Sequence, residues 1–348
     1  MPFRTVGGMD QSMIALAGAR RPDPYARGMP QFLTVVDSDA LLSSIDNHCR
    51  TNRPSRIARL ASSYRVEVLA PDHVYGEVYA GFPKMAKSSP CTAEQLRSLF
   101  EEVYLPHLRW VTVDSAGADP DDRVQAVLDI DGTDAPTAQL ACLIGPCLVL
   151  SGDKSLRTPG FAPQEWRPAA GSAVMVVTAE ANSEGAASAM GFPLVGAVAG
   201  TVKIGNRVGL PWFMSIALLA GGVTLTFRDP GRRTRVWSRV GPVVEGILEH
   251  LAEEQRKAEV GKVGLTRSMF TTAGPPAAKQ MVTIVLARAS EPLLASEIHE
   301  LMLDHFGEDV VSSVGQVHTI LRAGSEFTQP ERYRWQLGRH AGPWRGTG

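Results

Sequence analysis

The stretch LDIDGTDAPTAQLACLIGPCLVLSGDKSL, residues Leu128–Leu156, decides how the rest of the chain is read. Asp134 opens an apolar helical run with Pro136 in its first turn, the one part of a helix where proline is tolerated. The run AQLACLI gives way to a short apolar segment, Cys147–Leu150, with the signature of a buried strand. That strand ends in Ser151-Gly152-Asp153. One carboxylate is therefore placed at a helix N-terminus and another at the C-terminal end of a parallel-type strand, the edge at which open α/β sheets bind ligands.

Working outward, a matching piece lies about a hundred residues earlier. Leu33–Val36 is an apolar β run that ends in Asp37-Ser38-Asp39 before the helical ALLSSI. Val66–Leu69 is a further strand candidate and leads into PDHVYGEVYAGF, which puts Glu77 near the start of a helix. Four acidic points, Asp37, Glu77, Asp134 and Asp153, are thus predicted to meet on one rim, with Asp39 as an auxiliary member. Packed carboxylates repel and raise one another's pKa unless a cation sits among them. Hard oxygen donors suit Mg²⁺ or Mn²⁺, and such ions activate water for attack on a phosphodiester.

In order and spacing, VVDSDALL, the Glu of HVYGEVY, TDAPTAQLA and LVLSGDKSL resemble the signature of the PIN-domain nucleases, over roughly Gln31–Arg167. The resemblance implies a parallel sheet with flanking helices and a metal-dependent endoribonuclease. Asp37, Asp134 and Asp153 would be direct metal ligands, and Glu77 would ligate a second ion or orient the attacking water. It also implies a toxin role with an antitoxin partner. Two departures are the Ser38-Asp39 pair, where the family has Thr-Asn, and the long Ser89–Asp129 segment before the third acid. Asp129-Ile130-Asp131-Gly132-Thr133 looks instead like the first motif of haloacid-dehalogenase-type phosphatases, with Asp129 as nucleophile and Asp131 as acid/base. Asp153-Lys154 follows too soon for that fold.

With 348 residues and 44% hydrophobic content, the chain is long enough for two or three domains with real cores. Its net charge of −1 gives no global attraction to nucleic acid, so any such contact must be local. Arg50, Arg53, Arg56 and Arg59 fall at spacing three, which predicts a phosphate-contacting strip or a solvated helix face. Cys49, Cys91, Cys142 and Cys147 lack a zinc-type pairing with histidine and read as reduced cysteines. His73, close to Glu77, reads as a structural histidine. Residues 1–30 read as a disordered segment rich in Gly, Pro and Arg, with no signal-peptide core.

Downstream of the α/β domain at 31–168, Ala169–Glu184 reads as a helix or, over Ala173–Thr178, as a last buried strand. Two uncharged runs follow, Ala186–Val202 and Val208–Phe227, and then Arg228, Arg232, Arg233, Arg235 and Arg239. They predict a transmembrane helical hairpin over 186–227, with both flanking domains cytoplasmic; the alternative is a buried helical pair in a soluble cytoplasmic protein. Residues 240–270 read as a connector or dimerisation helix, with an apolar stripe at Val243, Ile247, Leu248 and Leu251. Over 275–340, three helices and a hairpin containing Arg332-Tyr333-Arg334-Trp335 resemble a winged-helix domain. That resemblance implies DNA or protein contact through Ser312, Ser313, Gln316 and His318. A non-catalytic DNA-binding regulator with the α/β part as its sensor is the competing function.

Overall fold

The computed structural model describes residues 32–63, 65–113, 121–183, 230–307 and 313–340. Residues 1–174 and 263–348 belong to one compact unit, and 175–262 to another.

The first unit is built on a four-stranded sheet: β1 (Phe32–Val36), β2 (Val66–Pro71), β3 (Arg109–Val111) and β4 (Cys147–Leu150). The order is β3-β2-β1-β4 and every pairing is parallel. After β1 the chain steps to β2 and β3 on one side, then returns to place β4 on the other. The reversal makes the C-terminal ends of β1 and β4 a topological switch point, where such sheets open a crevice. All residues of β1 and β4 are buried, as expected for a parallel sheet covered on both faces.

The helices after β1 and β2 are α1 (Ser38–Thr51) and α3 (Asp72–Ala86), with α2 (Arg56–Ala61) between them. α4 (Ala93–Leu99) is capped by Thr92, with Thr92 and Gln95 forming a reciprocal capping box; a π-helical turn, Phe100–Tyr104, continues it. α5 (Asp122–Ile130) and a 3-10 turn, Gly132–Asp134, lead into α6 (Ala135–Ile144). α6 is apolar on every side, and nine of its residues are buried. Such a helix has to be covered all round. The sheet covers one side of it, and α10 (Ala278–Arg288) covers another, with Gln280 Nε2 donating to the Cys142 carbonyl at 2.9 Å. α7 (Lys154–Arg157) follows β4.

The C-terminal segment has the expected three helices and hairpin: α10, α11 (Ala295–Phe306), α12 (Val314–Ala323), and an antiparallel sheet of β5 (Leu293–Leu294), β6 (Phe327–Glu331) and β7 (Arg334–Leu337) in the order β5-β7-β6. Its core is continuous with that of the parallel sheet: Met281, Val285, Ile298, Val317 and Leu337 belong to the same buried cluster as Leu33, Val35 and Val149. The segment also closes both edges of the four-stranded sheet. Phe270 exchanges two backbone hydrogen bonds with Cys147 on the β4 edge (2.8 and 3.1 Å), and Arg339 exchanges two with Trp110 on the β3 edge (2.7 and 2.8 Å). Covering the edges removes unpaired strand groups that would otherwise recruit another chain. Gly338 makes the second closure possible, because its φ is +57° and a Cβ there would lie 2.1 Å from the Trp110 carbonyl oxygen. Arg109, buried beside Glu67 at 2.7 Å, donates to the carbonyls of Leu286 and Ala289 at the end of α10.

In the second unit, the end of α8 (166–183) pairs with α9 (Pro230–Ser268) through Asn182–Glu254 (3.0 Å) and Glu180–Lys262 (2.9 Å). The connector expected at 240–270 is thus part of a longer helix. The strand option for Ala173–Thr178 is replaced by helix.

Several expectations need correction. Among the described residues no helix is long and apolar enough to cross a membrane, against the expected transmembrane hairpin and membrane placement. The two runs of the expected hairpin, 186–202 and 208–227, lie outside the described residues, as do the segment 1–30 and Ser312. Ala and Gly, frequent in these runs, lengthen an uncharged stretch while adding little apolar surface. The arginine strip also fails. α1 ends at Thr51, with Asn52 left-handed at φ +51°, so Arg50 sits on one helix, Arg53 in the turn, and Arg56 and Arg59 on another. Cys49 and Cys91 form a disulfide, whereas Cys142 and Cys147 are buried thiols outside any disulfide. Finally, Asp129 lies within α5 and not at the end of a strand. The phosphatase motif needs a nucleophile at a strand end, so that reading lapses.

Candidate metal centre

Each acidic point reaches the rim for a simple topological reason. Asp37 follows directly on β1, and Asp153 follows β4 after Ser151 and Gly152. Glu77 and His73 lie one turn apart near the start of α3, which leaves the C-terminal end of β2. Asp134 precedes α6, whose N-terminus lies at this sheet edge because the helix runs back antiparallel to β4, the strand it feeds.

Asp37 is the centre of the arrangement. Its residue is fully buried. Its backbone N–H donates to the Leu150 carbonyl at 3.1 Å, tying the ends of β1 and β4 together. Asp37 occupies the N-cap position of α1, yet its side chain does not cap that helix. Instead Oδ2 accepts from Ser151 Oγ at 2.9 Å, and Oδ1 is buried with no hydrogen-bond partner. An unpaired buried carboxylate oxygen is costly unless something else neutralises it. Burial first, then the charges of Asp39 and Asp134, push the Asp37 carboxyl up to about 8; hydrogen bonds from Ser151 and the Ser38 backbone offset part of this.

The ligand atoms of Asp37, Asp39 and Asp153 all lie within 4.8 Å of one another. This is a cluster able to hold a metal ion. Asp39 is fixed by the loop after β4: its Oδ2 accepts from Gly152 N at 2.7 Å, and its Oδ1 lies 3.4 Å from Ser151 Oγ. A Cβ at position 152 would stand 2.5 Å from Asp39 Oδ2, so glycine is required for this approach. The Asp39 carboxyl is raised, mainly by burial and, among charges, by Asp153. Asp153 is raised by burial and by the charges of Asp131 and Glu77, against the opposing charge of Arg157.

A second set shares Asp37. Ligand atoms of Asp37, His73 and Glu77 likewise lie within 4.8 Å of one another. His73 Nε2 is buried without a hydrogen-bond partner. Burial lowers the His73 pKa, against the raising charges of Glu77 and Asp72. Asp134 belongs to neither set. Ser155 Oγ donates to its Oδ2, and its carboxyl is pushed up to about 6, chiefly by burial and further by the charges of Asp153, Asp131 and Glu77. The structure therefore brings the four expected carboxylates into electrostatic reach of one another, and gives Asp39 a tighter place beside Asp37 than Asp134 has.

His73 is the functional candidate that sequence reading set aside. The available signal was its i,i+4 spacing to Glu77, which puts both on one helix face. Ser151 and Gly152 were legible as the end of a strand, but they and Ser155 were not legible as the groups that orient three carboxylates. At the other end of the unit, Ser313 Oγ accepts from Gln316 N as the cap of α12, so this expected contact residue is engaged within its own helix. No protein-family model matches the chain, and no curated protein or solved structure matches it.

Proposed function

We propose that this chain is a metal-dependent endoribonuclease that hydrolyses RNA phosphodiester bonds at the β1/β4 crevice. The observation that carries the reading is Asp37: a fully buried carboxylate with one oxygen unpartnered, facing Asp39 and Asp153 at the switch point of a parallel sheet. The all-oxygen donor set fits Mg²⁺ or Mn²⁺, held by Asp37, Asp39 and Asp153. Such an ion, when bound, supplies an acidified water and positive charge against the phosphate.

The remaining work falls to the chain. Asp134, with its carboxyl pushed up to about 6 and one oxygen anchored by Ser155, is suited to take a proton from the attacking water near neutral pH. Glu77 orients that water from α3. Gly152 keeps the floor of the crevice free of side-chain bulk. Beside it lies the Trp166 indole, with Arg167 stacked over its ring at 5.3 Å. An aromatic face and a cation next to the carboxylates suit a single strand, whose bases stack and whose phosphates need positive charge. RNA as the substrate, and a toxin role with a cognate inhibitor, follow from the resemblance to PIN-domain nucleases.

The test is cleavage of a labelled single-stranded RNA by the full chain with Mn²⁺ or Mg²⁺, with and without chelator. Metal-dependent internal cleavage that Asp37→Asn abolishes is expected. Unchanged cleavage in that variant, or none in the wild type, overturns the proposal.

A further inference from the structure

We infer that the rim holds a second cation position, formed by Asp37, His73 and Glu77, that selects a borderline transition ion such as Mn²⁺ over Mg²⁺ through the imidazole of His73. The inference rests on reading the rim as a cation site, but it does not depend on RNA hydrolysis.

Three observations carry it. The first is the coincidence of two ligand sets on one carboxylate: Asp37 offers a ligand atom within 4.8 Å of those of Asp39 and Asp153 in one set, and of those of His73 and Glu77 in the other. A carboxylate has two oxygens, so it can serve both sets, as ligands bridging paired ions do. The second is that Asp37 is fully buried and its Oδ1 has no hydrogen-bond partner. Ser151 accounts for Oδ2 alone. The third is His73 Nε2, a buried ring nitrogen that likewise lacks a partner. A buried ring nitrogen without a hydrogen bond is unfavourable in a packed protein, and a metal bond removes the deficit. His73 and Glu77 both project from the first turns of one regular helix, so their spacing is fixed by the backbone rather than by a loop.

The two positions differ in chemistry. Asp37, Asp39 and Asp153 offer oxygen alone, which suits Mg²⁺ as well as Mn²⁺. Asp37, His73 and Glu77 offer one nitrogen and carboxylate oxygen. Imidazole suits first-row transition ions, whereas Mg²⁺ keeps oxygen and water ligands. The two halves of the rim should therefore separate when both ions compete.

The decisive experiment is pulsed electron paramagnetic resonance of Mn²⁺ bound to the ion-free full chain, together with equilibrium dialysis of Mn²⁺ against excess Mg²⁺. In the wild type, nitrogen-14 modulation from a directly bound imidazole is expected, on an ion that Mg²⁺ does not displace. His73→Gln should lose the modulation and one bound Mn²⁺ per chain, while still holding an ion that Mg²⁺ displaces. Bound Mn²⁺ without nitrogen modulation in the wild type overturns the inference and leaves the nuclease proposal standing. Modulation that persists in His73→Gln overturns it as well, since the nitrogen then comes from elsewhere. Absence of any bound Mn²⁺ overturns both readings. The wild-type spectrum decides even if His73→Gln does not fold.

Discussion

Two groups of aspartates stand at helix starts in this molecule, and their carboxylates behave in opposite ways. Asp121, before α5, accepts from Arg123 N at 2.9 Å, and Asp131, before the 3-10 turn, accepts from Thr133 N at 3.0 Å. Both cap, and both have a lowered pKa: hydrogen bonds from the Arg123 side chain and backbone dominate at Asp121, and those from Thr133 at Asp131. Asp37, Asp134 and Asp153 occupy the same kind of position before α1, α6 and α7, and none of their side chains caps. All three are raised, with burial as the leading cause. A capping aspartate is a solved structural problem. An aspartate that forgoes its cap, is buried and faces other acids is left in an unfavourable state that a bound cation would relieve.

The largest effect expected from breaking this contrast is at its centre. Asp37→Asn should remove RNA cleavage by several orders of magnitude while, above about pH 8 where the wild-type carboxyl is ionised, the ion-free chain unfolds at a higher temperature than the wild type, because a buried charge has gone. Asp131→Asn should leave cleavage unchanged. Equal losses in the two variants would erase the distinction between the groups. The next effect is on pH. The unfolded Asp37 carboxyl releases its proton near 3.8, and the folded one holds it up to about 8. Between those values the unfolded state binds fewer protons, so stability falls as pH rises. Chelated wild type should thus lose on the order of a few kcal/mol between about pH 4 and 8. Mn²⁺ should restore much of that at pH 8 and little at pH 4. Denaturant melts at both pH values with and without Mn²⁺ check this; a flat profile would sink the assignment.

The same contrast explains what the sequence made visible. Phe32–Val36, Val66–Pro71 and Cys147–Leu150 are fully apolar or nearly so, because a doubly covered parallel sheet demands it, and strand ends announce where Asp37 and Asp153 lie. Asp134 was legible because Pro136 fixes a helix start. Whether an aspartate caps or faces inward is not written in its neighbours: SDAL after Asp37 and DRVQ after Asp121 are both ordinary openings. That choice depends on Ser151 and Gly152, more than a hundred residues away. His73 was set aside for the same reason, since its partners come from another strand. The Cys49–Cys91 pair and the edge closures by Phe270 and Arg339 join segments that share no local pattern.

Gly152 offers an intermediate effect. Gly152→Ala places a methyl group 2.5 Å from where Asp39 Oδ2 now sits, so Asp39 must turn away and lose the hydrogen bond from the 152 backbone N–H. Removing the partner that orients a ligand typically lowers metal affinity about 10- to 100-fold. That drop in Mn²⁺ affinity, measured by calorimetry with the fold intact by circular dichroism, is the expected outcome. Unaltered affinity would mean that Asp39 stands outside the cation site.

The smallest effect sharpens the contrast from its other side. Asp121 both caps α5 and pairs with Arg123 at 2.7 Å, and Arg123 in turn lies over the Phe270 ring at 4.6 Å. Asp121→Ala removes cap and pair together and should cost about 1 kcal/mol of stability. Asp121→Asn keeps a good capping side chain and loses only the charge, so it should cost less; the pair is only half-buried, and solvent screens it. Because Asp121 is lowered, its contribution is present above the ordinary carboxylate range and lost as pH falls, the reverse of Asp37. In Asp121→Ala the acid limb of the stability profile should therefore soften while RNA cleavage and Mn²⁺ affinity stay at wild-type values. A cleavage defect in this variant would show that the capping aspartates and the cation-facing ones do not work independently.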